Sequence, residues 1–343
     1  MKPPILSLLR DPSVARGWTA REWADTMPRL QQSGLTAHIA ALADRAGITA
    51  AHIPPGVRRQ FYATSIDSDA QLRTLRWELG EVVRALRGLE VRVVPIKGAD
   101  YLLRNATPAL GRTVADLDIL VSRNHLAKAT AALEAAGWGM GGEAVHEGNH
   151  QYPGFVHSLR ATQLELHFQV VAEGGAVSLD VESVIASAVP QPDGVLALLQ
   201  PTDTVLVRVA HFIRNSRTVS AFRDLLDLRE LVEGFREQDP QFGLALIARA
   251  ELVGLGAALS RAVRDSTELF GEIDSPDLAA WARRRKPSLS GGSAMALVPD
   301  GCAVPSFGTR LRRVGRMFAR MRSAYPPGKT LQVGLKVLQG KSE

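Results

Sequence analysis

The sequence predicts an α+β fold: a small mixed β-sheet flanked by N-terminal and C-terminal helical regions. Three observations carry it. Apolar residues recur at three- and four-residue spacing before residue 88 and again after residue 181, the mark of amphipathic helices. Between these regions, residues 91–96 and 116–121 are short β-rich runs, and residues 163–171 alternate apolar and polar side chains, as a half-buried strand does. Helix, strand, helix and then paired strands pack as a sheet covered by helices. The expected organisation is a helical region over 1–88, a core sheet over 89–180, a second helical region over 181–280 and a basic linker and amphipathic tail over 281–343.

In chain order, residues 18–46 carry Trp23, Met27, Leu30, Leu35, Ile39 and Leu42 at helical spacing, and Pro28 and Ser33-Gly34 are expected to divide them into two helices. Ile53-Pro54-Pro55 ends that pattern, and a helix over 69–87 comes next with a stripe of Leu72, Leu75, Leu79, Val82, Val83 and Leu86. Pro95 marks the run 91–96 as an edge strand or its end. A short helix is expected from Gly98 to Asn105, its first amides suited to phosphate. The strand 116–121 precedes a helix over 124–136 that Ser122 can cap and Gly137 terminates. Strands are expected over 151–159 and 163–171, then helices over 203–213 and 221–235 and a helical pair over 244–270.

The chain has 343 residues, 45% of them hydrophobic, enough to bury a substantial core. No stretch reaches the roughly 18 apolar residues of a membrane span, and the apolar run at the N-terminus is short for a signal peptide. The single cysteine, Cys302, excludes an internal disulfide framework and fits a reducing cytoplasm. The net charge of +6 is uneven: residues 281–343 hold 13 Lys/Arg against 2 Asp/Glu, leaving 28 against 33 in the rest. The basicity therefore belongs to the tail. There a helical stripe over 309–325 alternates with six arginines. The tail reads as packing on the protein's own core with a basic outer face, with an acidic membrane surface or nucleic acid as other readings. It lacks interleaved aromatics for base stacking.

Two motif matches fail on context. His146-Glu-Gly-Asn-His150 matches the metalloprotease signature, but that signature needs both histidines on one helical face, and glycines surround this one. Gly137-Trp-Gly-Met-Gly-Gly142 matches the dinucleotide fingerprint, yet it ends a helix where the fingerprint opens one.

Asp116 and Asp118 carry more. On a strand, two residues apart, both carboxylates share a face while Leu117, Ile119 and Val121 take the other. Two adjacent carboxylates repel unless a cation lies between them. The plain alternative is a solvated strand edge. Against it stand the apolar opposite face, Lys97-Gly98 about 18 residues upstream, and a third carboxylate, Glu165, on the later alternating strand. Magnesium takes such hard oxygen ligands together with substrate phosphates. Lys97 and Arg112 would balance phosphate charge, with a surface ion pair the other reading of Arg112. His167 lies on the face of Glu165, there either to orient a carboxylate or to pack.

These segments resemble a known family, the bacterial uncharacterised nucleotidyltransferases of the polymerase-beta-like superfamily. The likeness rests on Val94-Pro-Ile-Lys97-Gly98-Ala99, Arg112-Thr-Val-Ala-Asp116-Leu-Asp118-Ile-Leu-Val121 and Leu164-Glu165-Leu-His167-Phe168, with Ala210-His211 and Arg223-Asp224-Leu-Leu-Asp227-Leu228 downstream. It implies a nucleotidyltransferase core sheet, a Mg²⁺ (or Mn²⁺) cofactor, an NTP donor, and metal-ligating, catalytic roles for Asp116, Asp118 and Glu165. It places Lys97, Gly98, Arg112 and His167 at the nucleotide phosphates. The wider superfamily carries Gly-Ser closer to its acidic pair; here Lys97-Gly98 and a longer spacer stand instead. His211 resembles a family histidine at this place, for which nucleotide contact is one reading and a core histidine the favoured one. The expected function is transfer of a nucleoside monophosphate to an unidentified small-molecule, peptide or protein acceptor in the cytoplasm. The alternative is a non-catalytic nucleotide- or peptide-binding scaffold on the same fold.

Overall fold

A computed structural model describes residues 3–114, 116–140, 154–160, 162–170, 179–215, 219–285 and 293–301. The chain divides into two units after Pro299, and the described helices and strands all belong to the first. The two rejected motifs fall partly or wholly outside the described residues, as does most of the basic tail.

The α+β expectation is met. Strands β1 (Val94–Pro95), β2 (Asp116–Leu120), β3 (Trp138–Met140), β4 (Phe155–His157) and β5 (Gln163–His167) form one mixed sheet in the order β1-β2-β5-β4-β3. Strand β2 runs parallel to β5, and the other neighbours pair antiparallel. Pro95 lies on the edge strand, where its missing N–H costs no ladder bond. The predicted strands are trimmed: β1 keeps two residues of 91–96, and β5 stops at His167.

Helices α1 (Pro4–Arg10), α2 (Ala20–Ser33), α3 (Thr36–Arg45) and α4 (Pro55–Leu86) precede the sheet. The apolar N-terminus is a core helix, with Ile5, Leu6, Leu8 and Leu9 buried and Arg10 donating to the Leu269 carbonyl. Thr19 and Glu22 cap α2 reciprocally, and Gly34 ends it in the left-handed region. Pro28 does not divide that helix, contrary to expectation. It deprives the carbonyl of Ala24 of its helical donor, but Ala24 is exposed and water can serve, while Trp23, Met27 and Leu30 hold the helix by burial. Helix α4 starts fourteen residues before the predicted position, because Pro55 occupies its first turn rather than closing the previous segment. Its stripe of Leu75, Leu79, Val82, Val83 and Leu86 is buried as read from the spacing.

After the edge strand come α5 (Gly98–Arg104) and, beyond β2, α6 (Leu126–Ala135). Ser122 does not cap the latter; its hydroxyl donates to Glu182 instead. Gly137 closes α6 at φ 92° and leads into the β3–β4 hairpin. One sheet face is dry: Leu117, Ile119, Leu164 and Leu166 are buried with α4, α6, Trp138 and Phe155. On the other face, Leu120 joins a second core built from the helical regions. That core takes in α7 (Val181–Ser187), α8 (Pro201–Asn215), α9 (Val219–Gln238), α10 (Phe242–Leu252), α11 (Gly256–Phe270) and α12 (Pro276–Arg284), with the small β6 (Val189–Pro190) and β7 (Ala197–Leu198) ladder beside β1. Among the described residues no helix is long and apolar enough to cross a membrane.

His38 ties three of these pieces together. Its Nδ1 meets the Leu110 carbonyl at 2.8 Å and its Nε2 meets Glu230 Oε1 at 2.7 Å. Two acceptors demand two ring protons, so the imidazolium is the bound form. Burial works against the charge, but Glu230 and the Leu110 carbonyl outweigh it and the pKa is raised. A raised folded pKa means a stabilising proton, fully effective below the unfolded value of about 6.5 and lost as pH climbs through the folded one. His38→Gln should therefore cost about 1–3 kcal/mol near pH 6 and much less at alkaline pH. Urea melts across that range check it; a cost that does not change with pH would contradict the charged clamp.

Candidate metal and nucleotide site

The parallel register sets the site. Strand β2 faces β5 with Asp116 opposite Gln163, Asp118 opposite Glu165 and Leu120 opposite His167. The period of two then places Asp116, Asp118, Glu165 and His167 on the face away from the dry core. Asp118, Glu165 and His167 each offer a ligand atom, all within 4.8 Å of one another. Asp116 is half-buried beside them.

Asp118 is the hub. Lys97 Nζ donates to its Oδ1 at 2.7 Å, and His167 Nε2 reaches the same oxygen at 2.7 Å. Burial alone would raise the carboxyl pKa, but the His167 hydrogen bond and the Lys97 charge more than reverse this, leaving Asp118 firmly ionised. His167 is buried and also lies 3.4 Å from Glu165 Oε2. Burial opposes its protonation, yet the bonds to Asp118 and Glu165 raise its pKa. Asp116 is pushed the other way: burial, then the adjacent Asp118 carboxylate, raise its pKa. Two carboxylates and an imidazole at this spacing fit a divalent ion.

Lys97 is held in place at a cost. Its φ of 54° and ψ of −127° lie in a region that L-residues avoid, a strain of about 1–3 kcal/mol. The next residue, Gly98, is closely packed: a Cβ there would lie 3.3 Å from Arg112 Nε and 3.4 Å from Val114 Cγ2, so a side chain would need Arg112 to give by a few tenths of an ångström. The strain gives a test. Lys97→Gly should be more stable than Lys97→Ala by about 1 kcal/mol, read from paired thermal melts. Equal stabilities would mean that the backbone relaxes once the lysine is gone.

Arg112 does not reach toward the carboxylates. Its Nη1 donates to both oxygens of Asp227 at 3.1 and 2.9 Å, and its guanidinium lies 5.2 Å from the Tyr101 ring centre. It joins a buried network that sequence reasoning left without roles. Arg208 pairs with Asp224 and, at 3.3 Å, with Asp227, and its Nε donates to the Tyr101 hydroxyl at 2.8 Å. His211 Nδ1 bonds Asp224 Oδ2 at 2.8 Å, and burial with the Arg208 and Lys97 charges keeps this imidazole below its ordinary pKa. Asp100 accepts from Arg104 and Thr204, both at 2.8 Å. The available signal was charge inside apolar stripes at helical spacing: Arg208 with His211 on α8, Asp224 with Asp227 on α9. Such groups, removed from water, need each other.

Residues 19–271 match the family described as uncharacterised nucleotidyltransferase. The chain belongs to that family. The match spans the two helical regions as well as the sheet, so the α8–α9 network and the carboxylates of β2 and β5 lie within one matched unit. No curated protein matches the chain.

Proposed function

We propose that this nucleotidyltransferase is a cytoplasmic Mg²⁺-dependent enzyme, with Mn²⁺ the alternative ion, built on the polymerase-beta-like plan. It moves a nucleoside monophosphate from an NTP to a hydroxyl-, phosphate- or amine-bearing acceptor and releases pyrophosphate. The observation that carries this reading is the register that sets Asp118 beside Glu165, with their ligand atoms and that of His167 within 4.8 Å.

Asp116, Asp118 and Glu165 would hold the cation. Bound there, the ion neutralises phosphate oxygens and supports in-line displacement at the α-phosphorus. His167 fixes the Asp118 oxygen that it bonds. Glu165, more exposed than Asp118, takes the proton of the acceptor as its oxygen or nitrogen bonds to phosphorus and the bond to pyrophosphate breaks. Lys97, resting on Asp118, is placed to turn its ammonium to the triphosphate, and Gly98 lets the backbone approach. Arg112, paired with Asp227, braces the Lys97-Gly98 turn beneath the phosphates.

The acceptor class is a small molecule, peptide or protein. Incubating a lysate and the protein with each labelled NTP and Mg²⁺, then applying mass spectrometry, should reveal a species heavier by one NMP. Label appearing nowhere with all four nucleotides would sink the reading.

A further inference from the structure

We infer that Arg223 is a binding residue for the terminal phosphates of the nucleotide, a role that rests on the nucleotidyl-transfer reading. Three arginines, Arg112, Arg208 and Arg223, converge on two carboxylates, Asp224 and Asp227. Arg112 and Arg208 take both as ion pairs. Arg223 has no ion pair or hydrogen bond among the described residues, and its Nε is enclosed without a partner. The cation is therefore unmatched in a cluster that is otherwise balanced, and removing a charge from water without a partner is costly.

Its position makes the imbalance worse. Arg223 is the fifth residue of α9, just past its first turn. Burial and the charges of Arg112 and Arg208 pull its pKa down to about 10. Asp227 and Asp224 favour the charge but do not outweigh these effects; an anionic ligand would supply the missing direct partner. The side chain is only partly exposed, which leaves a route for that ligand.

The surroundings select the ligand. A Cβ built on Gly34 would sit 3.3 Å from Arg223 Nη1 and 3.4 Å from Thr113 Oγ1, so the guanidinium lies against the segment entering β2. Thr113 is three residues before Asp116, at most roughly 11 Å of extended chain. Arg112, the neighbouring cation, packs on Gly98 beside Lys97. Arg223 is thus tied through Thr113 to the segment that leads into Asp116 and Asp118, and through Arg112 to the Lys97-Gly98 turn, which is the basis for assigning it the β- and γ-phosphates of an NTP whose α-phosphate is at the carboxylates.

The test uses the full chain with inorganic tripolyphosphate as probe, which avoids the unknown base. Calorimetry in the presence of Mg²⁺ should show Arg223→Gln binding tripolyphosphate about 10- to 100-fold more weakly and Arg223→Lys falling in between. Binding of Mn²⁺ alone, monitored by electron paramagnetic resonance, should be unchanged. Without anion, the melting temperature of Arg223→Gln should equal or exceed that of the wild type, whereas a structural arginine would lower it. Unchanged tripolyphosphate affinity, or a lowered melting temperature, overturns the inference. If Mn²⁺ binds and depends on Asp118 while Arg223→Gln holds tripolyphosphate normally, the role of Arg223 fails alone. If the wild type binds neither probe, the nucleotidyl-transfer reading fails with it.

Discussion

Asp118→Asn is expected to lower nucleotidyl transfer by about three orders of magnitude or more, the scale of removing a group that balances transition-state charge. The substitution keeps the shape of the side chain and deletes its charge. Lys97 and His167 both direct a proton at Asp118 Oδ1, so both lose an anionic partner. His167 is buried, and its pKa, raised by Asp118 together with Glu165, would fall when the Asp118 charge is removed. The accompanying stability loss should be modest, about 1–3 kcal/mol, because the dry side of the sheet is untouched. Pyrophosphate release and a urea melt on the same sample separate the two effects. Retained turnover in a folded Asp118→Asn protein would remove Asp118 from the chemistry.

Gly111→Ala should cost more than about 4 kcal/mol, a size reserved for a few named causes, here a clash between backbones. Gly111 has φ 57°, and a Cβ there would fall 2.2 Å from the carbonyl carbon of Ala37, 2.3 Å from its oxygen and 2.4 Å from the His38 nitrogen. None of these atoms belongs to a side chain that can rotate away. Helix α3 would have to lift from the turn, breaking the Leu110–His38 bond and displacing Arg112, the next residue. Gly17→Ala is the control, since a Cβ there meets nothing within 4 Å. Equilibrium unfolding of the pair should show near-native stability for the control and a collapse for Gly111→Ala. A cost below about 1 kcal/mol would mean that α3 is not pressed against the turn.

What was legible in the sequence was whatever a short-range period encodes. The alternation of Leu164, Leu166 and Phe168 gave β5 its faces, and Asp116 and Asp118 fell on one side of β2 by the same rule. The stripe of α4 was readable, but its start was not. Between Pro55 and Ser68 only Val57, Phe61 and Ser68 are buried, too few to mark a helix beside a proline pair. Pro28 misled for the opposite reason: local chemistry argued for a break, and burial of Trp23, Met27 and Leu30 overrode it. The site was half legible. Three carboxylates on alternating strands could be brought together by pattern, but the parallel register of β2 and β5 could not be read from either strand. Nor could the partners of Arg112. Asp227 lies more than a hundred residues away, and only the packing of α8 and α9 against the turn before β2 shows that Arg112 is satisfied while Arg223 is not.

On the proposed reading, the face shared by β2 and β5 binds a nucleotide through a divalent cation. The most direct test is calorimetric titration of the wild type with non-hydrolysable NTP analogues, once with Mg²⁺ and once with a chelator. Binding that appears with Mg²⁺, vanishes with the chelator and vanishes in Asp118→Asn is the predicted result. Nucleotide affinity that is the same with and without metal would contradict the account and leave a scaffold that binds nucleotide without the chemistry of its carboxylates.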